Sequence, residues 1–222
     1  MTVFELSQME IFKYSPTEQH AIDFLEGISF DTIKSIGIST GGYFEGYWAG
    51  QGKKVIATTL DRKGMEYTKH LLKEVENLTF KIEDVTQNMP EGNCTYDVVY
   101  SRLCLHYISD IELKKALTEC YRVLKKDGHI IVIVKSLNDW TAKTEGAYYE
   151  PETGYTYTPS IKRYSKISRR LHSIQSITEA LSTTGFKVQY SNELTETIYE
   201  DYERTVIEVP DATLIEVYGT KC

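Results

Sequence analysis

The chain has 222 residues, of which 41% are hydrophobic and 26% are charged, and its formal net charge is −7 at pH 7. This composition is typical of a globular domain and excludes intrinsic disorder, while the negative charge disfavours a nucleic-acid partner. The sequence has no recognisable signal peptide and no apolar stretch of the ~20 residues that span a bilayer, so we expect a cytoplasmic protein without a membrane partner. Its cysteines do not have the spacing of metal ligands, so we expect no bound metal.

The first half of the chain predicts alternating helices and strands. Ser15-Pro16-Thr17-Glu18 is a capping box with proline at the first helical position, which indicates a helix start. Strands are predicted over 33–38, 54–60, 78–83 and 96–101, and helices from the glycine turn to about Ala49 and over 65–75.

A second capping box, Ser109-Asp110-Ile111-Glu112, predicts a helix that runs to about Leu124 with one apolar stripe. We expect 125–128 to end this helix, because cations suit a last turn and Gly128 suits a C-terminal stop. The run 130–134 is apolar without alternation, as is typical of a strand buried on both faces.

After residue 134 the apolar residues at first show neither a helical nor a strand period. Residues from 135 to about 172 are rich in tyrosine and basic residues, and a segment of this length inside a domain is typical of a lid or binding insertion. A helix over 174–181 and strands over 187–190 and 213–218 follow. We therefore predict one domain, 1–222, of doubly wound α/β class with a mostly parallel seven-stranded sheet. Ligands of such sheets bind beyond the carboxyl ends of the strands.

Two stretches are similar to the class I S-adenosylmethionine-dependent methyltransferases, which have a Rossmann-like fold. Residues 96–107 resemble the fourth strand of that family and the segment after it, and 119–128 resemble the helix and turn before its fifth strand. The resemblance runs from about Ser15 to Val134, and it implies S-adenosylmethionine as the cofactor.

The resemblance also implies where the cofactor binds. The family's acidic-x-G-x-G-x-G loop reads here Ser35-Ile36-Gly37-Ile38-Ser39-Thr40-Gly41, with serine at the acidic and middle-glycine positions. Thr59 stands where a ribose-binding carboxylate is usual, with Asp61 as a candidate substitute, and Glu83-Asp84-Val85 matches the adenine-binding pair. The implied cofactor contacts are Gly37, Ser39, Thr40, Gly41, Thr59, Leu60, Asp61, Asp84, Val85, Ser101 and Arg102.

Methyl transfer from a sulfonium depends mainly on the alignment of the nucleophile with the methyl group, so we expect no specific catalytic motif in the sequence. His106 is the candidate general base because histidine titrates near neutrality, although packing of the turn after the fourth strand is the alternative role. The acceptor is expected to contact the segment after the fifth strand, where basic residues suit an anionic acceptor. The candidate acceptor contacts are Asp139, Trp140, Tyr148, Tyr149, Lys162, Arg163 and Arg169.

These features favour a methyltransferase that acts on a small molecule. One alternative is an inactive relative with a binding or regulatory role, as the altered first loop suggests. Another is an enzyme that cleaves or cyclises the bound sulfonium. Nucleic-acid methylation is disfavoured, because no Asn-Pro-Pro-aromatic run follows the fourth strand. Nothing in the sequence indicates the oligomeric state.

Overall fold

A computed structural model describes residues 15–38, 42–160, 167–197, 199 and 209–222. The strands are β1 (Thr32–Ile36), β2 (Lys54–Thr59), β3 (Leu78–Ile82), β4 (Tyr96–Arg102), β5 (Leu124–Lys135), β6 (Tyr148–Glu150), β7 (Tyr155–Thr158), β8 (Ile167–Arg169), β9 (Phe186–Glu196) and β10 (Ala212–Lys221). The helices are α1 (Pro16–Glu26), α2 (Tyr43–Gly50), α3 (Arg62–Leu71), α4 (Asp110–Val123), α5 (Trp140–Lys143) and α6 (Ile174–Thr184), and a 3-10 turn covers Leu105–Tyr107.

The main sheet has seven strands in the order β3-β2-β1-β4-β5-β10-β9. Strands β1 to β5 run parallel to one another, and β10 lies between β5 and β9 and runs antiparallel to both. The predicted doubly wound, mostly parallel seven-stranded α/β fold is therefore confirmed.

Both faces of the sheet are covered by helices, which explains the unbroken apolar run in β5. Ile131 and Ile133 pack with α1 and α2 on one face, and Ile130, Val132 and Val134 pack with α4 and α6 on the other. A central strand of this kind has no solvated side and therefore shows no alternation in sequence.

The end of α4 agrees with the prediction to within one residue, but the predicted last turn and stop over 125–128 are wrong. The helix ends at Val123, and 124–128 already belongs to β5. Asp127 takes the positive φ of 61°, and a Cβ on Gly128 would lie 2.9 Å from the Asp97 carbonyl oxygen. Gly128 is thus needed for a close approach to β4 rather than as a helix stop.

The insertion after β5 contains a small antiparallel sheet, β6-β7-β8, that periodicity did not detect because its strands have three or four residues. Backbone hydrogen bonds hold this insertion to the main sheet. The Arg170 N–H donates to the His106 carbonyl at 2.8 Å, and the His172 N–H donates to the Lys135 carbonyl at 3.0 Å. As a result, β8 ends beside the carboxyl ends of β4 and β5.

A buried ion cluster lies under the edge of the sheet. The Nζ of Lys34, a fully buried residue of β1, lies 2.6 Å from Oε1 of Glu83 and 3.0 Å from Oε2 of Glu91. Burial raises the pKa of Glu91, but the hydrogen bonds from Lys34 and Lys81 outweigh it and lower this pKa to about 2.

We expect Glu91→Gln to remove a pH-dependent part of the stability. Because the pKa of Glu91 falls from 4.5 to about 2 on folding, its contribution is present above pH 4.5 and is lost as the pH falls towards 2. Urea denaturation should show a stability difference between wild type and variant at pH 7 that shrinks at pH 3. The exposed Glu145→Gln is the control, and a difference independent of pH would contradict this role.

Candidate functional site

A cavity of about 450 Å³ lies at the carboxyl ends of β1, β2, β3 and β4, and this volume is typical of small-molecule sites. One end is lined by Asp61, Glu83 and Asp84, and we call it the acidic end. The other end, the basic end, is lined by Arg102, His106, Tyr107, Lys135, Arg169 and Glu196. The cavity thus changes its charge along its length.

Gly37 lies between β1 and the segment that follows β4. Its φ is +89°, and a Cβ at this position would lie 2.4 Å from the Cβ of Cys104. The Gly37 N–H donates to the Thr58 carbonyl at 2.8 Å, which fixes the turn. Only glycine fits this close backbone approach, so the floor of the cavity depends on it.

Thr59 and Asp61 form the next part of the acidic end. The Asp61 N–H donates to Oγ1 of Thr59 at 3.0 Å, and Oδ1 of Asp61 accepts from the Gly64 N–H at 3.0 Å. Asp61 therefore caps α3 and reaches the cavity from this cap, while the Thr59 hydroxyl supports its backbone. Leu60, between them, also lines the cavity and is 64% exposed.

Asp84 is held in an Asx turn after β3. Its Oδ1 accepts from the N–H and the hydroxyl of Thr86, at 2.9 and 2.8 Å. The hydrogen bond from the Thr86 N–H, and to a smaller extent that from the Thr86 hydroxyl, hold the pKa of Asp84 below its usual value. The carboxylate stays ionised and can accept from a ligand, with the apolar Val85 beside it in the cavity wall.

The side chain of Arg102, at the end of β4, is 10% exposed and forms an ion pair with Glu196. Its Nε donates to Oγ1 of Thr17 at 3.1 Å, and the Thr17 hydroxyl donates to Oε2 of Glu196 at 2.7 Å. Burial lowers the pKa of Arg102, but Glu196 and Glu18 outweigh burial and raise it above its ordinary value. Arg102 therefore lines the cavity as a fixed cation.

A second cavity of about 20 Å³, room for one water-sized group, adjoins Gly37 and Arg102. Glu18, Ser35 and Glu45 also line it, and the Ser35 hydroxyl donates to Oε1 of Glu45 at 2.5 Å. A buried carboxylate from α2 thus lies next to the position where the sequence has serine instead of the usual acid. The sequence analysis did not identify Glu45, because it lies ten residues after Ser35 and outside the glycine loop. The sequence feature that could have identified it is a charged residue within the otherwise apolar helix α2.

His106 is 1% exposed and lies in the 3-10 turn after β4. Its Nδ1 is 3.3 Å from the Lys135 N–H, which can donate only to an unprotonated nitrogen, so the ring proton belongs on Nε2. Burial first, and then the positive charges of Arg169 and Lys135, hold the pKa of His106 well below its usual value. The imidazole is neutral near pH 7, and accepting a proton beside Arg169 and Lys135 is disfavoured.

Two further cations line the basic end. The Nζ of Lys135 lies 2.8 Å from Oδ2 of Asp139, and both side chains are at most 5% exposed. Arg169, from β8, places Nε and Nη2 each 3.3 Å from the Tyr107 hydroxyl, with its guanidinium carbon 5.3 Å from the centre of that ring. The sequence analysis did not identify Lys135 as a cavity residue, because it directly follows the apolar run of β5 and has no motif of its own.

Several sequence-predicted contacts lie away from the two cavities formed by the described residues. Ser101 is buried within β4, and Asp139 lies behind Lys135. Tyr148 and Tyr149 are 55% and 59% exposed on β6, and Trp140 begins α5. The described residues outside the cavities are therefore Ser101, Asp139, Trp140, Tyr148 and Tyr149. The predicted contacts Ser39, Thr40, Gly41, Lys162 and Arg163 lie outside the described residues.

Two kinds of feature are absent from the described part of the chain. None of its helices has the length and apolar character needed to cross a membrane. Among the same residues, no group of three or more His, Cys, Asp or Glu side chains is placed to hold a metal ion.

Comparisons with known proteins agree with the sheet order. A family model described as a methyltransferase domain matches residues 35–132. The PH0226 protein of Pyrococcus horikoshii OT3 has a TM-score of 0.69 at 14% identity, covering 96% of this chain and 94% of that one. No curated protein matches the sequence.

Two further solved structures have the same fold. A SAM-dependent methyltransferase of Methanosarcina mazei has a TM-score of 0.67 at 15% identity, covering 90% of this chain and 96% of that one. A TehB-like SAM-dependent methyltransferase of Corynebacterium glutamicum has a TM-score of 0.58 at 16% identity, covering 93% of this chain and 88% of that one. At these identities the likeness concerns the fold.

Proposed function

We propose that this chain is a class I S-adenosylmethionine-dependent methyltransferase that methylates a small-molecule acceptor, and the methyltransferase domain match over residues 35–132 and the shared fold support this proposal. The observation that carries the proposal is the single cavity that joins the acidic end to the basic end. A cationic sulfonium cofactor suits the acidic end, and an acceptor then occupies the basic end. The cavity volume favours a small molecule over a polymer.

The residues of the acidic end fit the cofactor. The Asp84 carboxylate accepts from the adenine amino group, with Val85 against the ring. Asp61 accepts from the ribose hydroxyls in place of a carboxylate at Thr59. Gly37 lets the turn after β1 approach the segment after β4 closely, because a Cβ there would lie 2.4 Å from that of Cys104, and this turn forms the floor on which the cofactor would lie. When bound, S-adenosylmethionine supplies an activated methyl group, and the chain's residues orient the two reactants.

Calorimetric titration of the protein with S-adenosylmethionine and S-adenosylhomocysteine tests the proposal. We expect micromolar binding of both ligands. Absence of binding at about millimolar concentration, or about −4 kcal/mol, would contradict the proposal and favour an inactive relative with another role. Product analysis by mass spectrometry then distinguishes methyl transfer from cleavage or cyclisation of the sulfonium.

Asp84→Ala should weaken binding of S-adenosylhomocysteine by roughly 1–3 kcal/mol, because a buried amino donor loses its acceptor. Calorimetry of the variant measures this loss. The exposed Asp31→Ala provides the control for a change of net charge. Equal affinities for wild type and Asp84→Ala would mean that adenine does not bind at this position.

A further inference from the structure

We propose that the second cavity binds the α-ammonium group of the cofactor, and that the Tyr100 hydroxyl and the Glu45 carboxylate accept its hydrogen bonds. The inference rests on the proposed function and deepens it, because it assigns the amino-acid end of the cofactor to residues outside the glycine loop. Three observations support it: a buried hydroxyl without a partner, a carboxylate beside the altered loop position, and lining residues that the two cavities share.

The Tyr100 hydroxyl is buried and makes no hydrogen bond within the described part of the chain. Tyr100 is 3% exposed, and its ring stacks on that of Phe44, with the ring centres 3.7 Å apart and the planes inclined by 11°. This stacking fixes the ring, so the hydroxyl cannot turn to another partner without loss of packing. A buried hydroxyl without a partner costs free energy, and a ligand that donates to it recovers this cost.

The hydroxyl end of Tyr100 faces the second cavity. Burial first, and then the Glu18 carboxylate, raise the pKa of Tyr100, so the hydroxyl stays neutral. The charged groups Glu18, Arg102 and Glu45 all act on this hydroxyl, and all three line the second cavity together with Tyr100. A neutral hydroxyl has two lone pairs, and it can therefore accept a hydrogen bond from an ammonium group.

Glu45 brings a carboxylate to the same cavity from α2. The residue is 4% exposed, and its Oε1 accepts from the Ser35 hydroxyl at 2.5 Å. A carboxylate can accept about four hydrogen bonds, so Glu45 can accept from an ammonium group in addition to its partners in the protein. Ser35 stands where the methyltransferase loop usually has an acid, and its hydrogen bond to Glu45 places a carboxylate beside that position.

The second cavity adjoins the large cavity at shared residues. Ile36, Gly37 and Arg102 line both of them. A volume of about 20 Å³ holds one water-sized group, and an ammonium group has about that size. A ligand whose adenosyl group lies at the acidic end can therefore extend one small polar group past Gly37 to Tyr100 and Glu45.

Calorimetry with S-adenosylhomocysteine and its desamino analogue, in which hydrogen replaces the α-ammonium group, tests this site. We expect wild type to bind S-adenosylhomocysteine at least about tenfold more tightly than the analogue, because hydrogen bonds from a charged donor are strong. Equal affinity of wild type for the two ligands would mean that water fills the second cavity, and it would overturn the proposal.

Two variants assign the preference to residues. Tyr100→Phe and Glu45→Gln should each reduce it to less than about threefold by weakening the binding of S-adenosylhomocysteine, with little change for the analogue. Glu66→Gln, which changes an exposed carboxylate of α3, should keep the full preference. A full preference in Tyr100→Phe or in Glu45→Gln would overturn the role of that residue.

Stability distinguishes a ligand contact of Tyr100 from a structural role. Tyr100→Phe removes a hydroxyl that has no partner in the described part of the chain, so the free variant should be at least as stable as wild type in urea. Lower stability, together with equal losses of affinity for both ligands, would show that the hydroxyl supports the fold, and it would overturn the assignment.

The ligand 5′-methylthioadenosine separates failure of this inference from failure of the proposed function. It has the adenosyl group but neither the ammonium nor the carboxylate group, so both variants should bind it as wild type does, which also shows that they are folded. Wild type that binds all three ligands with equal affinity contradicts the ammonium site alone. Wild type that binds none of them at about 1 mM contradicts the proposed function as well.

Discussion

Replacing Gly37 with alanine is expected to lower the free energy of unfolding by about 2–5 kcal/mol and to abolish binding of S-adenosylhomocysteine. Two costs add up at this position. The φ of +89° disfavours any residue with a Cβ, and the new Cβ would lie 2.4 Å from that of Cys104. Relief of this clash must move β1 away from the segment after β4, which opens the floor of the cavity.

Gly52→Ala separates the two costs of the Gly37 variant. Gly52 has a φ of +80°, but nothing lies within 4 Å of the added Cβ. Urea denaturation should therefore show only the backbone cost, roughly 1–2 kcal/mol, with cofactor binding intact. Equal losses for the two variants would mean that the contact with Cys104 contributes nothing. Gly37→Trp, which would fill the cavity, should likewise remove binding.

Arg102→Met is expected to cost about 3–5 kcal/mol of stability, because it leaves the buried Glu196 carboxylate without its counter-ion. The side chains of Arg102 and Glu196 are 10% and 2% exposed. Denaturation in urea at pH 7 measures the loss. Lys125→Met is the matched control, because it removes a cation from the Lys125–Asp97 pair, whose side chains are 41% and 22% exposed, and should cost less than about 1 kcal/mol.

The double variant Arg102→Met, Glu196→Met gives a second test of the same pair. Replacing both charges removes the uncompensated carboxylate, so the double variant should be more stable than Arg102→Met alone. Thr17 would lose its acceptor at Glu196, which limits the recovery. A double variant less stable than the single one would show that Glu196 stabilises the fold by itself.

The elements that sequence predicted well carry local signals. Both predicted capping boxes are formed in the structure, and each helix begins directly after its N-cap serine, Ser15 or Ser109. The signal is local because the cap residue and its partner are three positions apart. The apolar run 130–134 likewise predicted a strand covered on both faces, which the packing of β5 confirms.

The failures concern structure that depends on distant residues. Gly128 was interpreted as a helix stop because it follows Lys125 and Lys126 at the end of a helical pattern, whereas the Asp97 carbonyl of the adjacent strand determines its role. The strands of the insertion are too short for a period and are defined by their pairing with one another. Tyr148 and Tyr149 alternate on a short strand, and nothing in the sequence indicated that this strand lies away from the cavity.

The residues of the candidate site also fall into those that a local sequence pattern predicts and those that depend on distant contacts. Gly37, Asp61 and Asp84 directly follow strands, and the topology rule for parallel sheets brings such residues together. Lys135, Glu45 and Glu196 reach the two cavities through contacts across the sheet or from a helix, and no pattern within a short window reveals them. A resemblance to a family marks the cofactor side of the site and leaves the acceptor side to the three-dimensional structure.

The position of β10 affects how the protein can be made on the ribosome. β10 is synthesised after both of its partners, yet it fills the space between β5 and β9. Until it emerges, β5 has a free edge next to the apolar run 130–134, and an unpaired apolar strand edge readily joins the edge of another chain. The growing chain is therefore exposed to this edge-to-edge association until β10 inserts.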